Sequence, residues 1–404
     1  MAATLAVAPP ADAVERRASD TIRAYSAEGD HRTATVVDRA SAGALLLRAR
    51  ATGAVAVLEP FALSRVDPAS AFAQIAAQRI DGLPMFDGTF TGPGGVSGRI
   101  GPIDGDQPIG WTRIAPNGEA ALRKMREGSP HTAIIAVTMG GKPGLCPVNA
   151  GWFDEPFGPT VLQVSSDHLA ALESAATSRV DVRVVAPAVR LRAQAINVVA
   201  EIQGARQDLA PVCVMTPRSG WHANASERGG GLVCWLESMR AVVNASAPSA
   251  AFAASGLRPN LLRTVRFVAS SGHELGHLGL HDYLHRNPTL ARGAYAWVHF
   301  GANIGTSTGD TGMTASDDRV RDAALRALAP HGLNTIRQSQ AAQVAGEAAT
   351  IKEAGGRFVS FIGANAWFHN PGDRWPNAVD VRAVARFARA AADLTLSLAN
   401  TPPA

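Results

Sequence analysis

Strand-like and helical segments alternate along the second half of the chain. Two apolar runs, INVVAEIQG and APVCVMTP, are typical of buried strands, and a glycine-rich start opens a helix over 229–245. A long amphipathic helix is predicted over 379–400. Because strands that alternate with helices form mostly parallel sheets covered on both faces, residues 191–404 are predicted to be one α/β domain. Ligands of such domains bind at the carboxyl ends of the strands.

The first half of the chain divides into two parts of different texture. Residues 1–81 carry helical patterns over 11–28 and 38–52, then an entry strand and a helix over 68–78, and they are predicted to pack on the α/β domain. From 82 to 190, glycine, proline and aspartate punctuate short strand patterns, as in DGLPMFDGTFTGPGGVSGRIGPIDGDQPIGW. This second part is predicted to be an inserted, β-rich module.

Composition excludes several classes of function. The formal net charge is +4 and the arginines form no basic run, so no nucleic-acid partner is expected. No stretch of about eighteen apolar residues occurs, so no membrane span is expected. The three cysteines, Cys146, Cys213 and Cys234, are too scattered for a disulfide framework or a cysteine zinc site. The start of the chain lacks the basic segment of a signal peptide, so a cytoplasmic location is expected, with secretion left open.

The segment SSGHELGHLGLHDYLH, residues 270–285, contains the string His-Glu-Leu-Gly-His. In zincin metalloproteases such a string lies on one helix, where His273 and His277 would bind zinc and Glu274 would activate water. Here a strand pattern runs directly into the string, and Gly276 weakens any helix. A zincin is therefore only a third alternative. The four-residue spacing of histidines that continues beyond the string is typical of a helix edge, with a metal-binding face as the alternative.

Several stretches together resemble the zinc aminopeptidase family, which also contains glutamate carboxypeptidases and glutaminyl cyclases. The family's His-x-Asp-Ser strand end and glycine-rich helix start are similar to VCVMTPRSGWHANASERGGG. Its strand followed by Glu-Glu and glycine is similar to TVRFVASSGHELG, and its His-x-x-x-Asp turn before the last helix is similar to HNPGD. The resemblance covers about 190–400. It implies a metallopeptidase-like catalytic domain over 191–404 and a protease-associated domain over 82–190.

The resemblance implies a metal site from which ligands have been lost. The family holds two zinc ions, bridged by a carboxylate and a water. Position by position, the metal-binding glutamate matches Glu274, the bridging aspartate becomes Glu227, and the terminal histidine matches His369. The first histidine ligand becomes Thr216 and another aspartate becomes Ala302, so each metal lacks one ligand. One zinc ion held by the two glutamates and the terminal histidine is therefore expected in preference to two, with no metal as a further alternative.

Further site residues follow from the same resemblance. His273 stands where the family has its general-base glutamate, and a neutral imidazole can accept a proton near pH 7. Arg218 replaces the aspartate that orients the first histidine ligand, and we expect it to dock a substrate carboxylate. Substitute metal ligands are sought among three nearby histidines: His222, His299 and His277. The candidates for the substrate pocket are Trp367, Asp373, Ser219 and Trp221.

Two classes of function follow, one catalytic and one not. The first is a metal-dependent hydrolase of amide bonds, aminopeptidase-like, that acts on small peptides or amino-acid conjugates. The second is a catalytically degenerate relative that binds a peptide or small metabolite in the old cleft. Hydrolysis of chromogenic amino-acid amides, with and without a chelator, separates the two. An assembly of identical chains is left open.

Overall fold

The structure is a computed structural model that describes residues 12–246 and 261–403. Residues 1–11, which hold most of the segment considered as a signal peptide, lie outside the described residues, as do 247–260 and Ala404. The strands are β1 (Ala56–Pro68), β2 (Phe72–Ile75), β3 (Gln78–Pro84), β4 (Val96–Pro102), β5 (Ile109–Ile114), β6 (Ala133–Thr138), β7 (Thr160–Ser165), β8 (Asp181–Val185), β9 (Ala188–Ile202), β10 (Val212–Pro217), β11 (Val265–Ser270), β12 (Ala296–Phe300), β13 (Thr311–Ala315), β14 (Arg337–Ser339) and β15 (Phe358–Gly363). The α-helices are α1 (Ala13–Ala27), α2 (Val36–Arg50), α3 (Glu119–Arg126), α4 (Leu169–Thr177), α5 (Gly229–Ser246), α6 (Leu278–Arg286), α7 (Leu290–Gly293), α8 (Asp318–Leu328), α9 (Glu347–Glu353) and α10 (Val381–Ala399).

One mixed sheet forms the centre of the fold. Across the two described ranges its eight strands follow the order β1-β9-β11-β10-β12-β15-β13-β14. β10 pairs in parallel with β11 and β12, and β12 pairs in parallel with β15. On the flanks, β9 is antiparallel to β1 and β11, and β13 is antiparallel to β15 but parallel to β14. The prediction of a mostly parallel sheet therefore holds for the four central strands and for the β13–β14 pair, whereas the remaining flanking pairs are antiparallel.

Helices cover both faces of this sheet. Along β10, Val212 and Val214 join the core beneath α5 and α10, whereas Cys213 and Met215 join the core beneath α6 and α9. Successive side chains of a strand point to opposite faces, so a strand buried on both faces requires an uninterrupted apolar run. This requirement explains the sequence VCVMTP. Of the helices in the described parts of the chain, none is long and apolar enough to cross a lipid bilayer.

A closed barrel is inserted between β1 and β9. Within the described residues it has seven strands, in the order β2-β3-β7-β6-β5-β4-β8. Its interior is apolar and includes Ile100, Ile135 and Val164. On one side a fully buried ion pair joins Arg126 Nη1 to Asp87 Oδ1 at 2.7 Å. The barrel strands span 72–185, whereas the sequence predicts a β-rich module over 82–190.

The helix predicted over 68–78 is wrong. Residues Phe72–Ile75 form β2, which pairs antiparallel with both β3 and β8. The local abundance of alanine favours a helix by less than about 1 kcal/mol per residue. Hydrogen bonding on both edges of β2 outweighs that preference, and Ala76, at φ 49°, turns the chain into β3.

Candidate functional site

A cavity of about 600 Å³ lies between the sheet and the barrel. On the sheet side it opens beyond the carboxyl ends of β12 and β15, which is where α/β domains bind ligands. On the barrel side its wall comes from the segments that follow β5 and β6. The polar and large apolar residues on the two sides include His273, His277, His299, Glu347 and Phe368 from the sheet, and Asn117, Glu119 and Met139 from the barrel.

Two histidines of the His-Glu-Leu-Gly-His string meet at this cavity, but not on a helix. A 3₁₀ turn holds His273, and the helix α6 begins only after His277. Gly272 and Gly276 have φ of 85° and 82°, and His277 itself has φ of 62°. These left-handed residues interrupt any helix between the two histidines, and the two imidazole rings lie 5.2 Å apart between centroids. A left-handed conformation is rare for a residue with a β-carbon and recurs at functional sites.

A glutamate from the start of α9 completes the group. His273 Nδ1 lies 2.8 Å from Glu347 Oε1, and the ligand atoms of His273, His277 and Glu347 all lie within 4.8 Å of one another. Glu347 Oε2 lies 3.2 Å from His299 Nε2, and His299 Nδ1 lies 2.8 Å from Ser360 Oγ. The carboxylate therefore contacts two imidazoles, one through each oxygen. We call His273, His277 and Glu347 the His-His-Glu cluster.

Protonation in this cluster suits a metal ligand set. Burial opposes the ionisation of Glu347, but the electrostatic attraction of the neighbouring imidazoles, His273 first, and the hydrogen bonds from His273 and His299 outweigh burial and hold the pKa of Glu347 well below its usual value. Burial lowers the pKa of His277 to about 4, despite the nearby Glu347 carboxylate. At neutral pH the cluster thus offers an ionised carboxylate and a neutral imidazole, which are the forms that bind metals.

Glu227 and His369 form a second buried pair in the same region. His369 Nε2 lies 3.5 Å from Glu227 Oε1, and His369 Nδ1 lies 2.6 Å from the carbonyl oxygen of Pro147. The guanidinium of Arg228 is closer still, with Nη2 at 2.7 Å from Glu227 Oε1. Burial opposes ionisation, but Arg228 and His369 hold the pKa of Glu227 far below its ordinary value. A fixed side-chain cation therefore already accompanies this carboxylate.

Comparison with known proteins identifies the fold. No protein-family model matches the sequence, and no curated protein matches it. Among solved structures, a zinc aminopeptidase from Bacillus subtilis matches with a TM-score of 0.73 at 16% identity, over 95% of this chain and 94% of that one. The chain has the zinc aminopeptidase fold. A peptidase M28 precursor from Shewanella amazonensis matches with a TM-score of 0.73 at 14% identity, over 97% of this chain and 98% of that one. An aminopeptidase from an Aneurinibacillus strain matches with a TM-score of 0.68 at 14% identity, over 94% and 92% of the two chains.

Within the zinc aminopeptidase fold, the ligand set expected from the resemblance does not converge. Glu227 and His369 lie together, but Glu274 accepts hydrogen bonds from the Thr33 backbone N–H at Oε1 and from Ser219 Oγ at Oε2, both at 2.7 Å. Both of its carboxylate oxygens are thus occupied by Thr33, in the segment between α1 and α2, and by Ser219. Histidine, cysteine, aspartate and glutamate are the residue types that could bind a metal here. Among residues 12–246 and 261–403, the His-His-Glu cluster is the only group of three of them whose ligand atoms lie within 4.8 Å of one another.

The docking role expected for Arg218 is wrong. This side chain is fully buried, and its Nη1 lies 3.0 Å from Asp38 Oδ1. It also donates hydrogen bonds to the carbonyl oxygens of Asp38 and Ile196. Its donors are therefore engaged inside the protein, where it ties α2 to β9. A substrate carboxylate in the cavity would have no access to it.

Three of the residues expected in the substrate pocket, Ser219, Trp221 and Asp373, lie outside the cavity and form hydrogen bonds with residues near it. Ser219 donates to Glu274, and buried Trp221 donates from Nε1 to Asn149 Oδ1 at 3.0 Å. Asp373 accepts hydrogen bonds from the backbone N–H of Glu227 and from Ser226, and burial raises its pKa to about 6. The described residues that line the cavity do not include these three.

The two remaining candidates also lie off the cavity. The ring of Trp367 packs beneath Lys142, whose Nζ lies 5.4 Å from the ring centroid. Its neighbour Phe368 is the aromatic residue on the cavity wall. His222 Nε2 lies 3.3 Å from the carbonyl oxygen of Leu145 and so contacts the loop after β6. Of the three substitute ligands considered from the sequence, His277 lies in the cluster and His299 contacts it, whereas His222 does neither.

Sequence reasoning missed two acidic residues of the cavity. Glu347 follows Gly346 in the first turn of α9, where an acid is ordinarily a favourable partner of the helix dipole. Glu119 occupies the same place in α3 of the barrel. Neither belongs to a motif, so only their positions in three dimensions mark them as site residues.

Proposed function

We propose that the protein is a metal-dependent hydrolase of amide bonds that acts on small peptides or amino-acid conjugates, in the manner of an aminopeptidase. The observation that supports this function best is the meeting of His273, His277 and Glu347 on the wall of a cavity at the carboxyl ends of the central strands. The zinc aminopeptidase and the peptidase M28 precursor among its structural neighbours support this reaction class. We propose that the barrel is the protease-associated insertion that the resemblance implies.

The donor set of the cluster fits one catalytic zinc ion. Catalytic zinc sites commonly have three protein ligands from histidine and carboxylate, with the fourth position left for water or substrate. His273, His277 and Glu347 provide two imidazoles and one carboxylate. A divalent ion held there would polarise the substrate carbonyl and lower the pKa of a bound water. His299 contacts the second oxygen of Glu347 and so orients that carboxylate.

His273 can serve the reaction in two ways. When its Nδ1–H donates to Glu347, the lone pair of Nε2 is left available. That lone pair either binds the metal or accepts the proton of the attacking water, which is the role expected from the sequence. The two roles exclude each other, so metal content decides between them. If the protein is active without metal, His273 is the general base and Glu347 is its orienting carboxylate.

Four variants test the proposed ligand set. His277→Ala and Glu347→Gln each remove one member of the cluster, and we expect both to lose bound zinc and chelator-sensitive hydrolysis of amino-acid 4-nitroanilides. His285→Ala is the matched control, because this histidine is exposed on α6. It should keep zinc and activity. His369→Ala tests the ligand set implied by the resemblance, and under our proposal it should keep zinc.

Thermal melting with added zinc provides a second readout. A ligand that binds only the folded state raises the free energy of unfolding by about 2.7 kcal/mol at a concentration one hundred times its Kd. If purified wild type contains far less than one equivalent of zinc and added zinc does not raise its melting temperature, the proposed metal site is wrong. If His369→Ala loses zinc while His277→Ala keeps it, the metal ligands are instead the set implied by the resemblance, Glu227, Glu274 and His369.

The position of Arg228 supports a second candidate function, that of a protein that binds a ligand without turning it over. Its guanidinium accompanies Glu227, the carboxylate that the resemblance assigns to the bridging position between two metals. Thr216, at the position of a lost histidine ligand, donates its hydroxyl proton to the carbonyl oxygen of Phe300 at 2.7 Å. Melting shifts induced by peptides or amino-acid amides, without turnover and insensitive to chelator, would favour this candidate over the hydrolase.

A further inference from the structure

The two carboxylates on the cavity wall differ in their contacts with other charged or titratable side chains. Among the described residues that line the cavity there is no lysine or arginine, and the two carboxylates are Glu119 and Glu347. Glu347 contacts two histidines. Glu119, on the opposite wall contributed by the barrel, has no ion pair among the described residues. The nearby Arg126 is already paired with Asp87, and His369 acts on Glu119 only through space, so Glu119 is the cavity carboxylate without an ion pair among the described residues.

The local backbone is shaped to hold this side chain. Glu119 begins α3 and accepts a backbone hydrogen bond from Gly151. A β-carbon at Gly151 would lie 1.6 Å from Glu119 Oε1, so any other residue there would expel the carboxylate from its position. Glycine at this position therefore permits the close approach of carboxylate and backbone, which places Glu119 at the wall as a hydrogen-bond acceptor.

We propose that Glu119 is a specificity-determining residue that selects substrates carrying a positively charged nitrogen. The inference rests on the proposed function, because it assumes that the scissile amide lies at the His-His-Glu cluster. Met139, Ile362 and Phe368 line the same cavity, and an ion pair is stronger beside apolar walls than in water. A cationic nitrogen would form a charge-assisted hydrogen bond with Glu119. A ligand with a carboxylate at this wall would be repelled.

Two kinds of substrate carry such a nitrogen, and binding measurements separate them. The α-ammonium group of a free N-terminus is present in leucinamide, and a side-chain guanidinium is present in N-acetylargininamide. N-acetylleucinamide carries neither charge and serves as the neutral ligand. Titration calorimetry of each ligand near pH 8 requires no turnover, so it remains informative if catalysis is absent.

Glu119→Gln removes the charge and keeps the shape of the side chain. We expect at least one cationic ligand to bind wild type roughly tenfold to a hundredfold more tightly than the neutral ligand, and to lose that advantage in Glu119→Gln. Binding of the neutral ligand should not change. Glu127→Gln, the same substitution at an exposed position just after α3, is the matched control and should behave as wild type. A melting temperature near that of wild type at pH 4.5, where the two side chains are both uncharged, shows that Glu119→Gln is folded.

The outcomes distinguish this inference from the proposed function. Equal affinity of wild type for cationic and neutral ligands overturns the inference, as does an unchanged affinity of Glu119→Gln for the cationic ligand. Failure of both cationic ligands to bind wild type at millimolar concentration overturns it as well. The protein could instead bind a cationic ligand through Glu119 and show no chelator-sensitive turnover. That result would support the role of Glu119 and contradict the proposed hydrolase function.

Discussion

Replacing Glu119 with glutamine should stabilise the protein above about pH 8 and leave its stability nearly unchanged near pH 4.5. Burial raises the pKa of Glu119 from 4.5 to about 7, and the charge of Asp87 adds to this effect. His369 and the backbone hydrogen bond from Gly151 oppose it. Glutamine retains an oxygen that accepts this hydrogen bond, but it cannot ionise. The substitution therefore isolates the cost of the charge.

The magnitude follows from the two pKa values. At about 1.36 kcal/mol per pH unit, the rise from 4.5 to about 7 corresponds to about 3 kcal/mol. Solvent screening at a half-buried position reduces the expected effect to about 2 kcal/mol. Because the pKa is higher in the folded state, that state binds the proton more tightly. This stabilisation is fully present below about pH 4.5 and is lost as the pH rises through about 7, so the gain from glutamine appears only on the alkaline side.

Urea unfolding at the two pH values measures the effect, with extrapolation of the free energy of unfolding to water. Glu127→Gln is the control, because this exposed carboxylate lies outside the cavity. It should change the free energy of unfolding by less than about 0.5 kcal/mol at either pH. A gain of equal size at both pH values, or a loss of stability for Glu119→Gln on the alkaline side, would refute the reasoning. Either result would mean that Glu119 does not ionise at a cost in the folded state.

Three substitutions away from the cavity test the packing of the fold, each by urea unfolding. Arg126→Met should cost about 3–5 kcal/mol, because it leaves the fully buried charge of Asp87 unpaired; a cost below about 1 kcal/mol would contradict this. Gly230→Ala should cost about 1–3 kcal/mol, since its β-carbon would lie 1.9 Å from the carbonyl oxygen of Ile304; a neutral effect would show that α5 can shift. Gly43→Ala, with no atom within 4 Å of its new β-carbon on α2, should instead stabilise by about 0.5–1 kcal/mol, and a destabilised variant would contradict the open space at that position.

The central sheet could be predicted from the sequence because burial on two faces leaves a distinct pattern. Val212 to Met215 serve two cores at once, and only an unbroken apolar run meets that requirement. The helix predicted over 68–78 failed for the converse reason. Its alanines express a weak local preference, whereas the pairing of Phe72–Ile75 with two partner strands depends on segments that are distant in sequence.

The candidate site could be predicted only in part, because the orientation of each of its side chains depends on hydrogen-bond partners that are distant in sequence. The sequence places His273 at a turn between a strand and a helix, and in the structure His273 lies in a 3₁₀ turn between β11 and α6. The direction of the Glu274 carboxylate depends on Thr33 and Ser219, which come from two other segments. Glu347 lies 74 residues beyond His273, and no spacing rule connects the two. A resemblance to a family transfers positions along the chain, but it does not transfer the partners that orient each side chain.

The same limit applies to the His-Glu-Leu-Gly-His string. On a continuous helix, four-residue spacing alone would place His273 and His277 on one face. Here the two rings approach because Gly272, Gly276 and His277 adopt left-handed conformations, which a helix excludes. Such a conformation costs a residue with a β-carbon about 1–2 kcal/mol, and at His277 glycine would avoid that cost. An imidazole at a position where the backbone favours glycine is what we expect if His277 acts beside Glu347 in the site that we propose.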